Sequence, residues 1–332
     1  MHSSPHVQQP LGVSDMMLQV LLALVPGIIV ATHFFGWGVL FNIVLAIITA
    51  VTAEAILLKL RARPILPFLS DYSAVITGLL LALCLPPLAP WWIPVIGTLF
   101  AIIIAKHLYG GLGYNPFNPA MIGFAVLLIS FPTIMTHWVL TPDASLSEVW
   151  LTISSESMPT QWNIDSLTSA TPLDELKTQL KQNNLSHSIN RVNELNLIPA
   201  WQWLSIAYLA GGLYLMARKI ITWHIPIAML AGLIITAAII HVIYPETTAT
   251  PWFHTITGAT MIGAFFIATD PITAATTIKG RIYYGLGIGI LIYIIRTWGG
   301  YPDAIAFAVL LMNMAAPMLD QYTQPRVFGG RQ

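Results

Sequence analysis

The sequence predicts an all-α polytopic membrane protein. It has about ten transmembrane helices in two inverted five-helix repeats, with short or broken third helices and an outer-face insertion between the repeats. Three observations lead there. Only 8% of the 332 residues are charged and 56% are hydrophobic, whereas soluble domains carry about 25% charged residues. Apolar runs near the ~20-residue length that crosses a bilayer recur along the chain. Five such runs stand on each side of one long polar stretch.

The first run is Met16 to Phe35, and the second, Trp37 to Leu58, is ended by Lys59, Arg61, Arg63 and Pro64. Tyr72 to Leu85 is apolar but short and stops at Pro86-Pro87. Trp91 to Ala105 ends at Lys106, and Gly110 to Pro119 is too rich in helix breakers to continue it. Ala120 to Trp138 completes the first set. The second set is Trp201 to Met216, Trp223 to Tyr244, Phe253 to Thr269, Ile282 to Ile295 and Ala304 to Leu319. The third of these is again short and ends in Asp270-Pro271. The polar stretch Met1 to Gln9 lacks a positively charged region and no convincing cleavage site follows, so the first run reads as a retained helix.

Residues 139–199 hold seven of the fourteen carboxylates and are rich in Ser, Thr and Asn. They read as a water-facing insertion. The expected units are a first membrane repeat over 1–138, the insertion over 139–199, and a second repeat over 200–332. Phe124-Ala125-Val126-Leu127-Leu128 recurs as Phe307-Ala308-Val309-Leu310-Leu311. Gly78 precedes Pro86 by eight residues, as Gly263 precedes Pro271. An odd number of segments per repeat forces opposite orientations on the two copies.

Short-loop charges set the orientation. With the N-terminus cytoplasmic, Lys59, Arg61, Arg63, Lys106, Arg218, Lys219, Lys279, Arg281, Arg326 and Arg331 are all inside. Only Arg296 sits at an outer helix end, so the insertion faces outward. Zero net charge and the lack of a basic run leave no electrostatic footprint for nucleic acid. Cys84 is the only cysteine, which rules out an intrachain disulfide and a self-contained four-cysteine site. Among nine histidines only His2 and His6 stand four residues apart, across Pro5 in the polar N-terminal stretch and not on a helix, so haem or metal ligation is not expected.

The most distinctive polar stretch is Asp165-Ser166-Leu167-Thr168-Ser169-Ala170-Thr171-Pro172-Leu173. Locally, Thr171-Pro172-Leu173-Asp174 is a helix start, with Thr at the N-cap and Pro at the first helical position. A helix N-terminus also suits a phosphate, although Asp174 and Glu175 oppose one there. Local physics does not separate a plain cap from a modified threonine.

The stretch resembles the flavinylation motif of the NqrB/RnfD family, with Ser169 where glycine is more usual. Lys106-His107-Leu108-Tyr109-Gly110-Gly111-Leu112-Gly113 leading into Asn115-Pro116-Phe117-Asn118-Pro119-Ala120 resembles the same family. So does Ala268-Thr269-Asp270-Pro271-Ile272-Thr273 followed by Gly280-Arg281. The likeness spans nearly the whole chain, and its length and short polar tail are closer to the Rnf-type branch. It implies FMN bonded through its phosphate to Thr171, beside Ser169 and Ala170, by a dedicated flavin transferase. It also implies a non-covalent riboflavin, for which the Gly110 to Asn118 loop is the candidate wall. That loop is no dinucleotide fingerprint, since no strand precedes it.

Other candidates rest on the residues themselves. Gly78 and Gly263 permit close approach of a cofactor or a neighbouring helix. Asp270, at the end of a short segment, is either an interfacial turn residue or part of an ion pathway. Glu54 lies within a helix, where snorkelling, pairing near Lys59, or an ion pathway are all open. Trp162, Trp201 and Trp203 are either an interfacial belt or packing for the cofactor ring.

The expected function is that of a membrane subunit in an ion-translocating electron-transport complex. It would relay electrons through FMN and couple NADH/ferredoxin chemistry to Na⁺ or H⁺ movement. Partner subunits would carry the other flavins and the iron–sulfur centres, because this chain has neither the cysteines nor a soluble domain for them. The alternative is an inverted-repeat channel or transporter for a small solute, without redox activity.

Overall fold

The computed structural model describes residues 12–324 apart from 142, 156–170, 172, 174–196, 246–247 and 302. The described residues are helical, with no strand. The first half comprises α1 (Val13–Phe35), α2 (Gly38–Leu60), the short α3 (Ile65–Leu69) and α4 (Ser73–Leu83). It continues with α5 (Trp92–His107, π-helical from Phe100), α6 (Pro119–Ser130) and α7 (Pro132–Thr136). α8 (Leu146–Ser155) lies in the polar insertion. The second half comprises α9 (Leu197–Ala217), α10 (His224–Ile243) and α11 (Pro251–Ile256). α12 then runs from Thr260–Ile262 into π-helical Gly263–Ile267 and is followed by α13 (Ile278–Trp298) and α14 (Ile305–Tyr322).

Among the described residues, five helices are long and apolar enough to cross a membrane: α1, α2, α10, α13 and α14. With the shorter apolar helices α4, α5 and α6 they make this a multi-pass membrane protein. Its outer surface is correspondingly apolar, as at the exposed Ile29, Ile48, Ile56, Leu213, Ile235 and Val242. Such surface is stable against lipid tails, not water.

Three expected segments differ in detail. The run Ala120 to Trp138 is two helices, because Pro132 cannot donate a backbone bond and α6 stops at Phe131. The run Phe253 to Thr269 is also two, separated by an extended Thr257, a Gly258 with φ of +65° and Ala259. Lys106 lies inside α5 and does not terminate it.

α1 packs along α9. Gly27 faces Tyr208, Gly211 faces the Ala23 carbonyl, and the Tyr214 hydroxyl bonds Gln19, so the two helices run antiparallel. α14 packs on α6, and the Asn118 backbone N–H donates to Asn313 Oδ1 at 3.2 Å. The Asn313 amide donates onward to the Thr273 carbonyl at 3.0 Å and to the Tyr284 hydroxyl at 2.8 Å. One apolar core runs through both halves, from Leu24 and Leu81 to Ala264 and Ile288.

The helices α4 and α12 stop inside this core. A helix end there leaves carbonyls that need donors. The Asn42 amide supplies one to Pro86 O at 2.8 Å, and the Asn118 amide supplies one to Ile267 O at 3.3 Å.

Candidate functional site

Two cavities open at opposite ends of α4 and α12. The first takes in the C-terminal end of α4 (Leu83, Cys84) and the N-terminal side of α12 (Gly258, Ala259, Ile262). It encloses about 760 Å³, part of it open to solvent. Thr171 and Leu173 of the insertion form one wall, and Trp138, Trp201, Tyr208 and Asp303 form others. The remaining lining is mostly aliphatic, with Met121, Leu128, Met135 and Ile305. Thr171 therefore borders a concave, mostly apolar space between the two halves.

The packing behind this cavity is specific. Trp201 stacks edge-on against Phe35 at 5.8 Å and tilts against Trp138 at 5.2 Å. Tyr208 lies on Gly27 and meets Phe266 at 6.1 Å. Both are nearly fully buried, Trp201 at 5% and Tyr208 at 3% exposed, yet Trp201 Nε1 and the Tyr208 hydroxyl have no hydrogen-bond partner among the described residues. Leaving such a donor buried and unpaired costs about 1–3 kcal/mol. Arg296, also buried, donates to His254 O at 2.8 Å and Thr260 Oγ1 at 3.0 Å and lies 3.4 Å from Asp303. Asp303 in turn accepts from the Ala259 amide at 3.1 Å. These bonds hold the Gly258–Ala259 turn against Leu173.

The second cavity, of about 920 Å³, lies at the other end. It joins the N-terminal half of α4 (Ser73, Thr77) and Lys106 to Asn115, Asn118 and the turn Thr269, Asp270, Pro271. Two stretches far apart in sequence thus form one wall. The loop before α6 needs its glycines: Gly110, Gly111 and Gly113 have φ of 123°, 105° and 92°, a region that L side chains rarely enter. Arg61 and Arg63 hold it by donating to His107 O at 2.6 Å and Gly110 O at 3.0 Å.

Glu54 is buried at the edge of this cavity and is paired with Lys106, not Lys59. Lys106 Nζ lies 2.8 Å from both carboxylate oxygens and 2.8 Å from Ser73 Oγ. Asp270 accepts from Thr273 Oγ1 at 2.8 Å and faces the cavity.

Gly78 and Gly263 border neither cavity; each meets a neighbouring helix. A Cβ at Gly78 would lie 2.9 Å from the Ala46 carbonyl oxygen of α2, and one at Gly263 would lie 2.8 Å from Ile305 of α14. Trp203 points outward, 56% exposed. Ser169, Ala170 and Trp162 lie outside the described residues.

The sequence reading missed the buried Lys106–Glu54 and Arg296–Asp303 pairs and the Tyr208, Cys84 and Trp138 walls. A signal for the cations was present. Lys106 and Arg296 each precede a Gly-Gly pair by a few residues, Gly110-Gly111 and Gly299-Gly300. Ile47-Ile48-Thr49-Ala50 likewise recurs as Ile234-Ile235-Thr236-Ala237.

A protein of Aliivibrio salmonicida (strain LFI1238), named as the D component of an ion-translocating oxidoreductase complex, is 50% identical over 344 residues. That match covers 99% of this chain and 98% of the relative. Proteins of the same name from Vibrio cholerae serotype O1 (strain ATCC 39541) and Escherichia fergusonii are 50% and 49% identical over 341 and 351 residues. Those matches cover 98% and 99% of this chain and 98% of each relative. Residues 1–329 match the NQR2, RnfD, RnfE family as a whole, and the chain belongs to that family.

Proposed function

We propose that this chain is the RnfD component of an Rnf-type ion-translocating oxidoreductase complex and carries FMN through a phosphoester on Thr171. One observation carries the reading: Thr171, the last threonine of the flavinylation-like run, borders an apolar cavity lined also by Trp201 and Tyr208, whose buried donors have no partner among the described residues. A tethered flavin would supply one- and two-electron transfer there. The chain's own part is to hold the ring at a fixed depth, with Trp138 and Trp201 beside it and Met121 and Leu128 excluding water. A flavin transferase would install the group. Partner subunits with flavins and iron–sulfur centres would pass electrons between NADH and ferredoxin, coupled to Na⁺ or H⁺ movement.

The two halves are, in this reading, inverted five-segment repeats flanking the insertion. The antiparallel α1 and α9, the matched short helices α4 and α12, and the recurring Phe-Ala-Val-Leu-Leu support it. The charge distribution supports a cytoplasmic Lys106 cavity and a Thr171 cavity on the periplasmic face of the inner membrane. Arg61, Arg63 and Lys106 gather at the former end, whereas Asp143 and Glu148 stand at the latter. The cytoplasmic cavity is the candidate place for non-covalent riboflavin, between Asn115, Asn118 and Thr269. Asp270 at its wall is then the better ion-pathway candidate, since Lys106 already compensates Glu54.

Intact mass of the purified chain, co-expressed with a flavin transferase, tests the reading beside Thr171→Ala. A mass increase matching esterified FMN, lost together with in-gel fluorescence in the variant, is expected. An unmodified parent chain, under conditions that flavinylate a known acceptor, removes it. Solute flux through that unmodified chain would favour the transporter alternative.

A further inference from the structure

Trp201 and Tyr208 stand seven residues apart on α9. Seven residues are almost two helical turns, so both side chains leave the same face, about 10 Å apart along the axis. Both border the cavity that Thr171 borders. Their rings are fixed by contacts that use none of their polar atoms: Phe35 and Trp138 hold the indole, and Gly27 and Phe266 hold the phenol. Each ends in a buried donor that meets no acceptor among the described residues. Buried donors nearly always find partners, and phenylalanine at position 208 would give nearly the same packing without an unpaired group.

We propose that Trp201 Nε1 and the Tyr208 hydroxyl are the hydrogen-bond donors that position the isoalloxazine ring of the flavin on Thr171 and tune its potential. This rests on the reading that Thr171 is flavinylated. The chemistry matches: an isoalloxazine is long, planar and apolar on its faces, with carbonyl oxygens and imine nitrogens along its edge as acceptors. The aliphatic walls suit the faces, and the two donors suit the edge. On reduction the ring gains two electrons and two protons, supplied in a titration by the reductant and the solvent, and its edge becomes richer in electrons. The two protons go to the imine nitrogens, and Trp201 and Tyr208 give up none; they donate to carbonyl oxygens, which stay acceptors and grow richer in electrons, so these bonds strengthen on reduction and favour the reduced form.

The test uses the full chain, flavinylated in the cell, as parent, Trp201→Phe, Tyr208→Phe, the double variant and Trp203→Phe. Intact mass first reports flavin on each, and spectroelectrochemical titration then gives its midpoint potential. Lower potentials are expected for Trp201→Phe and Tyr208→Phe, and a larger fall for the double variant. Each tenfold loss of preference for the reduced form lowers a two-electron potential by about 30 mV. The outward-facing Trp203→Phe should leave it unchanged. Flavinylated single and double variants that keep the parent potential and visible spectrum overturn the proposal. Vibrational bands of the flavin carbonyls in the parent chain give a second readout that needs no variant. Positions shifted down by hydrogen bonding support the proposal, and unbonded positions overturn it. A parent chain without flavin mass refutes the Thr171 reading itself, and the mass measurement alone identifies that case.

Discussion

At Gly211 a Cβ would lie 2.1 Å from the Ala23 carbonyl oxygen, and at Gly27 one would lie 2.3 Å from the Tyr208 ring. Small residues let helix backbones approach closely in membranes, where van der Waals contact is a main source of association. Gly211→Ala should therefore destabilise the protein by about 1–3 kcal/mol, the usual cost of overpacking. It would be read as a lower unfolding temperature in detergent. Gly300→Ala, with no neighbour within 4 Å, should leave that temperature unchanged. At this scale the sequence was informative where chemistry is unusual and silent where packing decides. Thr171 could be singled out only because Asp165 to Leu173 resembles a family motif, since the locally similar Thr247-Thr248-Ala249-Thr250-Pro251 drew no such reading. Tyr208 could not, since nothing in Ala207-Tyr208-Leu209 indicates that its hydroxyl is buried without a partner.

Among elements, the Lys106–Glu54 pair ties α5 to α2, and its bond to Ser73 reaches the start of α4. Both side chains are almost wholly excluded from solvent, at 1% and 3% exposure. Lys106→Met leaves a buried carboxylate without its cation and should cost about 3–5 kcal/mol. Glu54→Leu combined with Lys106→Met should restore most of that stability, because two apolar groups replace two charges. A double-mutant cycle on thermal unfolding measures the difference. An additive pair, with no recovery, would show that the two charges act separately. Glu54 was visible in the sequence as an intrahelical acid, but its partner is 52 residues away, and sequence proximity pointed to Lys59 instead. The stops at Pro86 and Pro271 were legible because proline cannot continue a helix. The break at Thr257–Ala259 was not, since that stretch is as apolar as its flanks.

For the whole molecule, orientation is the property to test. In a Cys84→Ala background, Ser70→Cys and Ser147→Cys place one exposed thiol at each end. A membrane-impermeant thiol reagent added to intact cells should label Ser147→Cys, while Ser70→Cys should react only after the membrane is opened. The reverse pattern would put Thr171 inside and contradict the charge argument. The multi-pass class was legible from composition alone, because 8% charge cannot cover a water-soluble surface of this size. Which helices meet across the middle was not. The apolar runs are nearly interchangeable, and only close contacts such as Gly27 on Tyr208 select partners.

That seam has a mechanical consequence. Transporters that alternate access rock one bundle against the other around a central site. Here such rocking would have to pull Gly211 from the Ala23 carbonyl and break the Asn118–Asn313 bond, which also holds Thr273 and Tyr284 through the same asparagine. A frame locked along its midline is poorly built to swing open, but it keeps two cavities at a constant separation, and electron hopping depends on constant separation.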